Sequence, residues 1–74
     1  MALPLSEIRE PGLFRIHSVS DDGEMSLRLK RLGLCENRRV EVLTAGDPMV
    51  VRVVGSRVGL SRELARLVAV DSAE

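Results

Sequence analysis

Tryptophan and tyrosine are absent from this 74-residue chain, and Phe14 is its one aromatic residue. Any core it buries is therefore aliphatic, built from Val, Leu, Ile and Met. Cys35 stands alone, which excludes an intramolecular disulfide and with it a secreted, disulfide-stapled scaffold. No apolar run approaches the roughly 20 residues of a membrane span, and the N-terminus lacks the basic flank and apolar stretch of a signal peptide. The expected compartment is the cytoplasm. Net charge is also missing: eleven basic residues balance eleven acidic ones, which argues against bulk attraction to nucleic acid or anionic lipid. The length suits a single domain, residues 1–74, near the lower end of what folds without metals or disulfides.

The charge that is present is unevenly spread. Residues 28–66 hold nine basic side chains against Glu36, Glu41, Asp47 and Glu63, a surplus of five that the two ends offset. Ten of the eleven basic residues are Arg, which favours bidentate pairing with carboxylate or phosphate over a diffuse lysine field.

Hydrophobic spacing divides the chain into short elements. Leu3-Pro4-Leu5 with Ser6 and Glu7 reads as a leading segment, and Pro11-Gly12 as a turn into a first strand. Along that strand Phe14, Ile16 and Val19 share one side while Arg15 and His17 alternate outward. Asp21-Asp22-Gly23 breaks the strand and places carboxylates where they can cap a following helix. Met25, Leu29 and Leu32 then lay one apolar stripe at i, i+4, i+7. Gly33 ends this helix by taking a left-handed conformation, and Leu34 folds back as the apolar contact of the cap. Beyond a turn at Glu36-Asn37, strands are predicted around Val40–Val42, Met49–Val54 and Arg57–Leu60. They are separated by Ala45-Gly46-Asp47-Pro48 and by a tight reversal at Gly55-Ser56, which makes an antiparallel meander. Ser61 caps one late helical turn through Ala65, and Leu67–Val70 returns as a closing strand. The fold class is mainly β: a small, partly open five-stranded barrel with one inserted short α-helix and a late helical turn.

The run Arg28-Leu29-Lys30-Arg31-Leu32-Gly33-Leu34, the Val40-Glu41-Val42 strand, Gly46-Asp47-Pro48, Val51-Arg52-Val53-Val54-Gly55 and Arg57-Val58-Gly59-Leu60-Ser61-Arg62, taken in that order and spacing, resemble the FeoA family from Leu5 to Val70. The resemblance implies an SH3-like barrel in a small cytoplasmic protein that accompanies FeoB, the membrane GTPase that carries ferrous iron inward. A similar SH3-like domain ends the iron-dependent repressors, where it follows a DNA-binding winged helix that this chain does not contain. The alternative reading is accordingly a regulatory module of that kind, binding a metal ion or a transcription partner.

The residues offer little for catalysis. A nucleophile needs a base within reach, and the only candidates are His17 and Cys35; the former reads as an outward strand residue and the latter as a small apolar residue past the helix. Gly55–Gly59 lacks the strand-loop-helix setting and the lysine of a nucleotide site. The expectation is a non-enzyme without cofactor. For a metal, His17, Asp21, Asp22 and Glu24 lie close in sequence, but one histidine without fixed ligand spacing favours helix capping over ligation, and no metal site is expected. Nucleic acid is disfavoured by the absence of an aromatic stacking platform.

A protein-binding module is what remains. Leu27 lies off the helix stripe and Leu34 follows the cap, so aliphatic surface is expected between helix and barrel, in a groove rimmed by Arg28, Arg31, Arg57 and Arg62 that suits an acidic or extended partner segment. The competing reading is that all four leucines are core. The candidate partner-binding residues are Leu27, Leu29, Arg31, Leu32, Gly33, Leu34, Arg57 and Arg62, with an FeoB-type GTPase as the implied partner, and no nucleic acid or membrane insertion.

Overall fold

Alternation of apolar and polar residues governs most of the chain, and it yields one six-stranded antiparallel sheet with two short helices. A computed structural model describes residues 2–20 and 23–73. In chain order the elements are β1 (Leu3–Pro4), a single 3-10 turn (Leu5–Glu7), β2 (Gly12–Val19), α1 (Glu24–Arg31), β3 (Arg39–Thr44), β4 (Met49–Val53), β5 (Ser56–Leu60), α2 (Arg62–Ala65) and β6 (Val68–Ser72). The strands lie side by side in the order β1-β6-β2-β3-β4-β5. The mainly β class, the β3-β4-β5 meander and the late helical turn all match the sequence reading.

Two differences concern the ends of the sheet. The leading segment contributes a sixth strand, since Leu3 and Pro4 pair with Val70 and Ala69, a long-range contact that local pattern does not encode. The sheet is also not closed into a cylinder, because the ladder stops at β1 on one side and β5 on the other among the described residues.

Among the described residues thirteen apolar side chains form the core, including Leu5, Ile16, Val40, Val42, Met49, Val51, Val53, Leu60, Val68 and Val70. It is aliphatic, as the composition requires; Phe14 is only half-buried and packs against its margin. On β3 and β4 the buried positions alternate as Val40, Val42 and Met49, Val51, Val53, the period of two expected of a sheet with one covered face. In β2 the alternation holds through Arg15, Ile16 and His17, after which the pairing with β6 shifts register between Ile16 and Ser18. That bulge resets the faces and leaves Ser18 and Val19 both half-buried.

The helix exit is the most tightly specified local structure. Leu34 N–H donates to Leu29 C=O at 3.0 Å and Gly33 N–H donates to Lys30 C=O at 3.0 Å, the paired bonds of a Schellman motif. Gly33 has φ +100, a value that a side chain resists. Leu29 and Leu34, the two residues whose apolar contact accompanies such a cap, are both fully buried. The predicted stop and fold-back are therefore present, but the buried stripe is displaced by one position. Ser26 and Leu29 face the core, Met25 is half-buried and Leu32 is exposed. Burying Ser26 is tolerable because its hydroxyl donates to Gly23 C=O at 3.1 Å. Gly23 occupies the N-cap position, while Asp21 and Asp22, the expected capping carboxylates, lie outside the described residues.

The β4–β5 reversal also falls one residue earlier than expected, at Val54-Gly55, both with positive φ (50° and 77°). A two-residue hairpin of the primed kind needs positive φ at both central positions, and a β-branched residue there is uncommon.

Two stability predictions follow from these backbone positions. Gly33→Ala places a Cβ 3.2 Å from Val54 Cγ2 at φ +100 and should cost about 1–3 kcal/mol. Val54→Asn, which relaxes the hairpin, should instead stabilise by about 1 kcal/mol. Urea unfolding followed by far-ultraviolet circular dichroism measures both.

Candidate functional site

Whether a side chain can meet a partner depends first on whether the fold leaves it outside. Of the eight residues singled out from the sequence, Leu29 and Leu34 are sealed in the core and cannot touch another protein. Their work is to seat α1 on the sheet. Gly33 is half-buried in the helix exit, where its C=O accepts a bond from Arg38 Nη1 at 3.2 Å. Leu27 and Leu32 remain outside, 49% and 38% exposed, so the reading in which all four leucines are core does not hold.

Leu27 and Arg31 are four residues apart on α1 and so share one of its faces. With Glu24, Met25 and Arg28 they line an open groove of about 410 Å³ along the helix. The guanidiniums of Arg28 and Arg31 make no ion pair or hydrogen bond with any described residue. The groove thus presents two cations unpaired among the described residues beside a half-exposed leucine and a flexible methionine, the composition of an adaptable contact surface. Leu32 lies on the exit side. Val54, 69% exposed, reaches the same exit, its Cγ2 lying close over Gly33.

The four-arginine rim does not assemble. Arg57 is on β5 opposite Arg52, and Arg52 Nη1 in turn donates to Glu41 Oε1 at 3.1 Å. Arg62 lies at the start of α2 and lines a separate cleft with Ser6, Ile8, Arg9, Ala45, Gly46 and Asp47. The physical reason is topological: both residues follow the β4–β5 hairpin, and the helix groove is built from α1 side chains alone. Arg9 and Asp47 were not legible as members of a shared site, since the first lies in a leading segment whose long-range placement no local pattern encodes.

His17, the sole histidine, has its Nδ1 3.4 Å from Asp71 Oδ2 on β6. Asp21 and Asp22, its neighbours in the candidate ligand set, lie outside the described residues. Among the described residues no group of three or more His, Cys, Asp or Glu side chains is arranged to hold a metal. Cys35 is a half-buried free thiol. No helix among the described residues is long and apolar enough to cross a membrane.

Comparison with known proteins follows the same lines. A family model described as FeoA domain matches residues 3–72. Among solved structures, an FeoA protein from Chlorobium tepidum is 27% identical, with 97% of this chain and 71% of that one covered at a TM-score of 0.85. An iron uptake regulatory protein (FeoA) is 25% identical, covering 95% and 96% at a TM-score of 0.86. ScaR, solved with bound Zn2+, is also 25% identical; 95% of this chain superposes on 36% of that longer one at a TM-score of 0.85. Among curated protein sequences none matches the chain. The architecture is the SH3-like one, with its sheet left open.

Exposure separates the leucines into two classes with different costs. Leu27→Asp and Leu32→Asp, each removing a partly exposed leucine, should cost about 1 kcal/mol and leave the chain folded. Leu29→Asp should leave the chain largely unfolded, because it buries an unpaired carboxylate in an apolar core. Thermal melts of the three variants check this.

Proposed function

The chain belongs to the FeoA family, and from that premise we propose that it is a non-enzymatic accessory protein of ferrous iron uptake that docks on the cytoplasmic side of an FeoB-type membrane GTPase through the exposed side of α1. Leu27 is the apolar anchor of this docking face, Arg28 and Arg31 are its charges, and Leu32 extends it toward the helix exit. Gly33 serves the site by fixing the direction in which the chain leaves the helix. Arg57 and Arg62 contribute only if the partner reaches beyond the groove.

The observation that supports this reading is the state of Leu27: half-exposed, on a helix anchored by other residues, and flanked by two arginines without partners among the described residues. A domain this small has few apolar side chains to spare for solvent, and apolar anchors ringed by arginine are typical of interface centres. The arrangement suits a surface for holding another protein.

A second reading draws on the likeness to ScaR: a regulatory module that binds a metal ion or a transcription partner. Titration with Fe(II) or Zn(II) separates the two. Saturable sub-micromolar binding that disappears in His17→Ala would favour the second.

For the docking reading, Arg31→Glu and Leu27→Asp should each weaken association with the transporter's soluble GTPase domain by about tenfold or more, equivalent to roughly 1.4 kcal/mol, while the chain stays folded. Calorimetric titration of purified partners measures the first and circular dichroism the second. Equal affinity in both variants would retire this face.

A further inference from the structure

The second cleft, independent of the helix groove, has the chemistry of a small-molecule site. Its walls come from three places in the chain: Ser6, Ile8 and Arg9 from the 3-10 turn and its exit, Ala45, Gly46 and Asp47 from the β3–β4 hairpin, and Arg62 from the start of α2. Asp47 Oδ1 accepts the Arg62 backbone N–H at 3.0 Å, which ties the hairpin to α2 and holds that carboxylate in the cleft. The guanidiniums of Arg9 and Arg62 have no ion-pair or hydrogen-bond partner among the described residues. Ile8 and Ala45 are half-buried and rest on the core, giving an apolar floor.

From this arrangement we infer that the cleft binds a short hydroxy-dicarboxylate. Two guanidiniums on one cleft call for two carboxylates, each of which arginine can engage bidentately. Asp47 opposes a compact, multiply charged anion such as phosphate, because its own charge lies in the same space. Among the described residues that carboxylate accepts only the Arg62 N–H, so acceptor capacity remains for a hydroxyl donor on the ligand. Ile8 and Ala45 suit a short carbon backbone. The volume, about 270 Å³, is just below the roughly 300–1,000 Å³ of sites for drug-sized ligands and suits a small acid.

The test is a titration of the ¹⁵N-labelled full chain with L-malate, succinate and inorganic phosphate, read from amide chemical shifts. Malate should saturate with a Kd of about 1 mM or tighter, shifting the amides of Ser6, Ile8, Arg9, Gly46 and Asp47. Succinate, which lacks the hydroxyl, should bind about tenfold more weakly, and phosphate more weakly still. Arg9→Ala should abolish saturable binding. Asp47→Asn keeps an oxygen for the Arg62 N–H and removes the charge, so it should erase the preference for malate over succinate without unfolding the hairpin. Absence of saturation by malate, undiminished binding in Arg9→Ala, equal affinity for malate and succinate in the parent chain, or phosphate binding as tight as malate would each overturn the inference.

Discussion

The closure of α1 across Gly33, where Leu34 N–H bonds back to Leu29 C=O and both leucines enter the core, is the constraint on which the rest of the molecule depends. A helix of eight residues is too short to hold itself together in water, so it exists only because its cap and the core fix it at once. The two capping bonds consume carbonyls that would otherwise be unsatisfied at the helix end. The same turn drives Leu34 inward and delivers the chain to β3 in the register that buries Val40 and Val42. Everything exposed on α1, including Leu27 and the arginines, is oriented by that one closure.

Much of this was readable from the residues alone, and the reasons are local. Glycine followed by leucine after an apolar stripe identifies a helix end because no other residue takes φ +100 cheaply. Alternating Val, Arg and Val identifies a strand because its side chains must fall on opposite faces. Ser61 announces α2 because its hydroxyl accepts the Leu64 N–H, the ordinary use of serine at that position. What escaped the sequence depends on distant parts of the chain. Leu3-Pro4 becomes a strand only because β6 lies beside it. Ser26 replaces Leu32 on the buried face because a hydroxyl that bonds its own helix can be buried, while the cap rotates Leu32 outward. The hairpin places Val54 at positive φ, which residue preference argues against.

The candidate site was legible in its chemistry more than in its geometry. The surplus of basic residues across 28–66 led the sequence reading to an arginine-rimmed surface. The sequence could not tell that Arg28 and Arg31 line a groove along α1 while Arg62 joins Arg9 where the first turn, the β3–β4 hairpin and α2 meet. Each setting pairs guanidiniums unengaged among the described residues with modest apolar surface, and in neither does an aromatic residue take part. On the proposed readings, recognition at both places rests on aliphatic contact and bidentate charge, a combination that discriminates by shape and by the placement of oxygen atoms.

The pairing of Leu3 with Val70 has a mechanical corollary. Because β1 and β6 run in opposite directions at one edge of the sheet, both ends of the described chain leave from the same side. A force drawing those ends apart would load their few ladder bonds in succession instead of all together, so the fold would open from this seam under light tension. Fusions at both ends would crowd a single pole.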